Sequence, residues 1–261
     1  MKDIIQSNKF NLILSGGAAL GYAHIGVLKR LKELNKEPAS YHGVSMGAII
    51  SAIEASEIAN KQKLYDEVFD SLSWIKPKLN GALLSTKKIE KLLLHYFGDM
   101  KMSDLKKALF IGATNYENGA MTIFSAQNDC KIVDAILASI AIPGVFEPRV
   151  INGVTYVDGY LSSNILLDSV NNNYMNLIVN VTGKEAFKKL HQKALLDFTI
   201  FAHLERSIRI TIYNQTRLAL KAFDKEYILI EPPLSSYKTS SFHKYQEIVE
   251  VGYKSAKEIL G

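Results

Sequence analysis

The residues best suited to chemistry in this chain are a serine flanked by glycines, Gly43-Val44-Ser45-Met46-Gly47, running on into the apolar, small stretch Ala48-Ile49-Ile50. A serine hydroxyl becomes a useful nucleophile only with a base in hydrogen-bond reach and donors aimed at the oxyanion that forms on acyl attack. A Gly-x-Ser-x-Gly core between a strand and a helix supplies the backbone part of that requirement, a nucleophile elbow. Gly43 and Gly47 let the chain bend sharply where side chains would crowd the turn. The elbow also sets Ser45 at a helix N-terminus, whose free N–H groups and positive dipole end stabilise negative charge. By itself the pentapeptide equally describes an ordinary tight turn.

Two further stretches could complete such a site. Ser15-Gly16-Gly17-Ala18-Ala19-Leu20-Gly21 follows the apolar run Phe10 to Leu14 and precedes a helical pattern of Leu20, Ala23, Val27, Leu28, Leu31 and Leu34. It lacks the Gly-Lys-Ser/Thr of a P-loop, and glycines at 16, 17 and 21 miss the Gly-x-Gly-x-x-Gly spacing. What remains is anion or oxyanion binding by backbone N–H groups, or a tight turn packed on a sheet. Asp158-Gly159 is delivered by a hairpin signal, Asn152-Gly153 between Val150-Ile151 and Val154 to Val157. Asp158 reads either as an exposed acid at a strand end or as an Asx-turn or helix cap. His24 reads as a packed side chain, and His42, His95, His191 and His203 show no metal-ligand spacing; no metal and no cofactor is expected.

The elements that must position these residues follow from periodicity. Residues 10–14 and 39–44 read as buried strands, each feeding a loop and then a helix, the pattern of a parallel α/β sheet with ligands at the carboxyl ends of its strands. Leu64, Val68, Phe69 and Leu72 mark a helix, Trp74 to Ser85 a loop, and Ile89, Leu92, Leu93, Tyr96 and Phe97 another helix. Leu109 to Ala113 and Ala120 to Phe124 form a hairpin about Glu117-Asn118-Gly119, and Ile132 to Ile140 a helix ended by Pro143-Gly144. Leu177 to Val181 and Tyr227 to Ile230 are later strands, separated by a helical stretch from about Ala186 to Phe223, and a last helix runs from about Phe242 to Ile259. No repeat or linker interrupts the chain, so residues 1–261 read as one domain.

Composition bounds the function. At 48% hydrophobic and 22% charged, with net charge +5 spread along the chain, the sequence is that of a globular domain with no nucleic-acid footprint. The lone Cys130 excludes an internal disulfide framework. No signal-peptide pattern opens the sequence and no run reaches the length of a membrane span, so a cytoplasmic location is expected, with membrane contact at most peripheral. The segment Leu195 to Leu204 is richer in apolar residues than one buried helix face needs, and with Arg206 and Arg209 close after it the apolar residues between Leu195 and Ile212 read as a core helix or as a surface that lies on anionic lipid.

Ser15 to Gly21 with Ala23-His24-Ile25-Gly26-Val27-Leu28, then Gly43 to Gly47, then Asp158-Gly159, in that order, resemble the bacterial patatin-like phospholipase family. Ala138-Ser139-Ile140-Ala141-Ile142-Pro143-Gly144-Val145-Phe146 is similar to the family's segment before its aspartate, so the likeness covers most of residues 10–168. It implies a three-layer α/β/α sandwich with a mostly parallel central sheet and a Ser-Asp dyad that hydrolyses acyl esters of lipids through an acyl-enzyme. By matching position Ser45 is the nucleophile, Asp158 the general base, and Gly16, Gly17 and Ala18 the oxyanion loop. An aspartate near its ordinary pKa is a weak base toward serine, so the site is expected to desolvate it in part. The chain departs from the pattern at Leu20, where Arg or Lys is frequent, at Tyr160 after Asp-Gly, and at Leu166, where Pro usually follows the asparagine by two. Three other readings stay open: an α/β-hydrolase triad with His243 as base, acyl transfer or thioester cleavage on the same fold, and a lipid-binding module without turnover. The triad reading is disfavoured because only one strand precedes residue 39.

Overall fold

The computed structural model describes residues 9–73, 86–184 and 200–261. The loop expected from Trp74 to Ser85, His191, and the expected helical residues from Ala186 to Thr199, Leu195 and Phe198 among them, lie outside the described residues.

A mostly parallel sheet forms the centre. Strands β1 (Phe10–Leu14), β2 (Ser40–Val44), β3 (Ala108–Asn115), β7 (Met175–Val179) and β8 (Tyr227–Ile230) run parallel in the order β3-β2-β1-β7-β8. Strands β4 (Met121–Phe124), β5 (Arg149–Ile151) and β6 (Val154–Asp158) join antiparallel, β4 and β6 to β3 and β5 to β6. Both expected hairpins are present, and at the second Asn152 and Gly153 take φ of 50° and 80°, the twist a two-residue turn between strands demands.

Strand β1 shows why its run is mostly apolar, since every residue is buried, and its one polar residue, Asn11, is bonded to Ser40 and Asn176. Phe10, Leu12 and Leu14 pack among α1 (Tyr22–Glu33), α2 (Met46–Ala55), α3 (Lys61–Ser73), α4 (Lys87–Phe97), α5 (Ile132–Ser139) and α7 (Tyr245–Leu260). Ile13 faces the other way, onto Ile165, Leu167, Val170 and Ile178, with Ala219 and Leu220 of α6 (Ile200–Ala222) over them. The result is a three-layer α/β/α arrangement.

Strand β7 ends two residues before the expected Val181. The amide of Asn180 still reaches the Ile230 carbonyl, whereas that of Val181 turns out of the ladder to the Ser15 hydroxyl at 3.0 Å. No helix among the described residues is long and apolar enough to cross a membrane.

Candidate active site

Ser45 sits between the last residue of β2 and the first of α2 with φ 53° and ψ −121°, a conformation that costs a non-glycine residue on the order of 1–3 kcal/mol. The close approaches around it explain the flanking glycines. A Cβ on Gly43 would lie 2.3 Å from the Gly47 carbonyl oxygen, and one on Gly47 would lie 2.2 Å from that of Leu14. Strand, helix and the end of β1 therefore meet through bare backbone.

The Ser45 Oγ donates to Asp158 Oδ2 at 2.7 Å. The other carboxylate oxygen, Oδ1, accepts the Tyr160 N–H at 3.0 Å and caps a short 3-10 turn from Gly159 to Leu161. The two readings of Asp158 thus hold together, one on each oxygen.

Strand register brings the pair together. Val44, the last residue of β2, lies opposite Gly112 of β3, and Asp158, the last of β6, lies opposite Ala113. Because β4 occupies one edge of β3 from Ile111 to Thr114, β2 and β6 share the other edge and run toward each other. Their ends abut, Ser45 leaving one and Gly159 the other. A Cβ on Gly159 would lie 2.4 Å from the Gly112 carbonyl oxygen, so the junction closes only over glycine, and Thr114 Oγ1 donates to the Asp158 carbonyl at 2.9 Å.

Asp158 is fully buried. Loss of hydration pushes its pKa up to about 7, against the lowering effect of the Ser45 hydroxyl and the Tyr160 amide. Burial is complete rather than partial, which makes the carboxylate a much stronger base than one in water.

The glycine-rich loop passes beside the serine, with a Gly16 Cβ placed 3.1 Å from that of Ser45. Its flanks are tied down: Ser15 N–H to the Val179 carbonyl, Ala19 N–H to that of Thr239, and His24 Nε2–H to the Ser15 carbonyl at 2.9 Å. Among the described residues none accepts from the amides of Gly16, Gly17 or Ala18. Ala18 takes φ 48°, a second strained non-glycine residue at this end of the sheet.

Among the described residues no histidine is bonded to Ser45 or Asp158. His24 is buried, its pKa lowered to about 4 by desolvation. His42 stacks on Phe110, bonds Ser40 and Ser169, and is lowered by burial to about 3. His95, His203 and His243 are exposed, and none is bonded to Ser45 or Asp158. No cluster of three or more His, Cys, Asp or Glu side chains able to hold a metal occurs among the described residues. Cys130 is buried, which pushes its thiol up to about 12.

Two participants were not singled out from the sequence, although both lie in the Ala138 to Phe146 stretch. The Ser45 N–H donates to Ser139 Oγ at 2.8 Å, and Ser139 Oγ donates to the Gly112 carbonyl at 2.7 Å. The Asp158 N–H donates to the Ala141 carbonyl at 2.9 Å. Of the departures from the expected pattern, Leu20 is fully buried, Tyr160 is half-buried, and Leu166 fills the space over Gly112. Leu166 also lines a cavity of about 360 Å³ with Met121, Ile123, Leu161, Ser162 and Gln215. Neither Ser45 nor Asp158 lines the cavity, and its link to the pair is indirect: Ser162 Oγ donates to Thr114 Oγ1, which in turn donates to the Asp158 backbone carbonyl.

A family model described as patatin-like phospholipase matches residues 12–170. Human patatin-like phospholipase domain-containing protein 6 is 23% identical over 287 residues, covering 99% of this chain and 21% of that protein. An uncharacterised NTE family protein of Mycobacterium tuberculosis is 29% identical over 187 residues, covering 69% of this chain and 51% of its own. Among solved structures, VipD from Legionella pneumophila superimposes with a TM-score of 0.50 at 15% identity, over 97% of this chain and 66% of that one. The chain thus spans about a fifth of the human relative and about half of the mycobacterial one.

Proposed function

The chain belongs to the patatin-like phospholipase family, and on that premise we propose that it is a serine-dependent lipid acyl hydrolase working through a Ser45–Asp158 dyad. The observation that carries the reading is the 2.7 Å bond from Ser45 Oγ to a carboxylate buried away from water. Ser45 Oγ attacks the acyl carbonyl as Asp158 Oδ2 takes its proton, and the amides of Gly16, Gly17 and Ala18 receive the oxyanion. The tetrahedral adduct collapses to an acyl-enzyme, and the leaving oxygen takes the proton back from Asp158. Water then attacks the acyl group, Asp158 accepts its proton, and the fatty acid departs as Ser45 recovers its hydrogen. One acyl ester and one water give an acid and an alcohol.

The substrate class that fits is an acyl ester of a lipid, as a phospholipase A, lysophospholipase or carboxylesterase would take. The test is a panel of aryl esters, lysophospholipids, phospholipids and acyl thioesters, assayed with wild type and Ser45→Ala, together with labelling by a fluorophosphonate. Turnover and labelling should both vanish in a folded Ser45→Ala protein. Labelling that persists there would overturn the nucleophile assignment, and thioester cleavage without ester cleavage would overturn the substrate class.

A further inference from the structure

We propose that Ser139 is a positioning residue for the dyad, acting through the nucleophile's own backbone amide. The inference rests on the reading of Ser45 as nucleophile and Asp158 as base. Ser45 holds a positive φ, and such a conformation persists only where its surroundings over-determine it. Gly43 and Gly47 permit the elbow but do not hold it. The bond from the Ser45 N–H to Ser139 Oγ at 2.8 Å does, and it removes that amide from the set that could face an oxyanion.

The Ser139 hydroxyl is used in both senses, and neither bond stays within its own helix. It accepts from the elbow and donates to the Gly112 carbonyl, the atom over which Gly159 closes. Two residues on, the Ala141 carbonyl accepts the Asp158 N–H. The end of α5 therefore grips nucleophile and base from the same side, through backbone atoms, while touching neither the Ser45 Oγ nor the carboxylate. Ser139 is fully buried, so removal of its hydroxyl strands an N–H and a carbonyl with no water to replace it. The Ser45 N–H is the one next to the reacting oxygen, and a displacement on the order of 1 Å there costs up to about a hundredfold in rate.

The experiment compares Ser139→Ala and Ser139→Cys with wild type in the full chain, using a soluble aryl ester and the rate of fluorophosphonate labelling. For Ser139→Ala, kcat is expected to fall about 10–100-fold with KM within about threefold, and labelling to slow by the same factor. Ser139→Cys keeps the side-chain shape with a somewhat larger atom and has a weaker donor and acceptor, so it falls between the two, several-fold below wild type. In an Asp158→Asn background, Ser139→Ala should slow labelling by less than about threefold, because the pair it aligns is already disabled. A kcat within threefold of wild type, or an equal loss in both backgrounds, overturns the inference. Should Ser139→Ala not fold, Ser139→Cys decides alone, and a kcat within twofold of wild type overturns it. If Ser45→Ala hydrolyses as wild type does, the nucleophile reading fails and this inference with it. If Ser45→Ala is inactive and Ser139→Ala is unimpaired, this inference alone fails.

Discussion

Asp158 offers one carboxylate oxygen to a hydroxyl and the other to a backbone amide, and the two bonds answer differently to substitution. In Asp158→Asn the amide oxygen can still accept the Tyr160 N–H, so the fold is expected to persist, while the loss of a proton acceptor should lower kcat about 10²–10⁴-fold with little change in KM. Retention of more than about a third of wild-type kcat would contradict the role. Because the pKa is pushed up to about 7, activity should rise with pH through that value and then level off. Stability runs the other way. The native state holds a proton that the unfolded chain releases near its ordinary value, so stability is fullest below about pH 4, declines as pH rises to about 7, and is flat above. Asp158→Asn should therefore unfold at a higher temperature than wild type at pH 8, and the gap should close toward pH 4. His24 and His42 titrate in both proteins and cancel from the comparison, so a gap independent of pH would refute the account. The Ser45 turn and the Asp158 hairpin were legible from short-range rules, and their pairing only from the order of motifs that the family resemblance supplied. Ser139 was not, since a hydroxyl on an apolar helix declares its partners only when β2 and β3 lie against it.

Helices α1 and α7 cross with almost no side chain between them. A Cβ on Gly26 would lie 2.0 Å from the Val249 carbonyl oxygen, and one on Gly252 would lie 2.0 Å from that of Ala23. Gly26→Ala should overpack this crossing by about 1–3 kcal/mol, which for a chain of this size lowers Tm by about 2–4 °C per kcal/mol. The folded enzyme should keep kcat within about twofold, because neither helix carries the dyad; an unchanged Tm in a thermal melt would show that the helices separate freely. Gly26 was visible in the sequence as part of a motif, but its partner Gly252 lies in a helix whose apolar stripe reads simply as core. Strands β1 and β7 were legible as short, mainly apolar runs, buried throughout or nearly so, whereas β2, with Ser40 and His42 buried inside it, was legible chiefly because it feeds the Ser45 turn. The early end of β7 was not, because it depends on the distant Ser15 hydroxyl.

Across the molecule, periodicity was enough to read the order of elements, two strand-loop-helix units, two hairpins and a closing helix, whereas the three layers were implied by the family resemblance. It could not show that β6 joins the same edge of β3 as β2, since pairing between strands so far apart in sequence is decided by the whole sheet. That end-to-end arrangement carries a consequence for how freely the chain can be redesigned. The gap between nucleophile and base is measured in residues of β3, so it is insulated from the lengths of the connections that lead there. Four Gly/Ser residues inserted between the exposed Glu117 and Asn118 lengthen a surface turn at small entropic cost, and kcat toward an aryl ester should stay within about threefold. Deleting Val157 shifts the alternation of β6 by one and turns Asp158 to the opposite face, so turnover should disappear even where the protein stays soluble. Equal losses from the two changes would mean that turn length, not strand register, sets the spacing. In this scaffold the connections are free to vary, and the constraint sits in one edge of one strand.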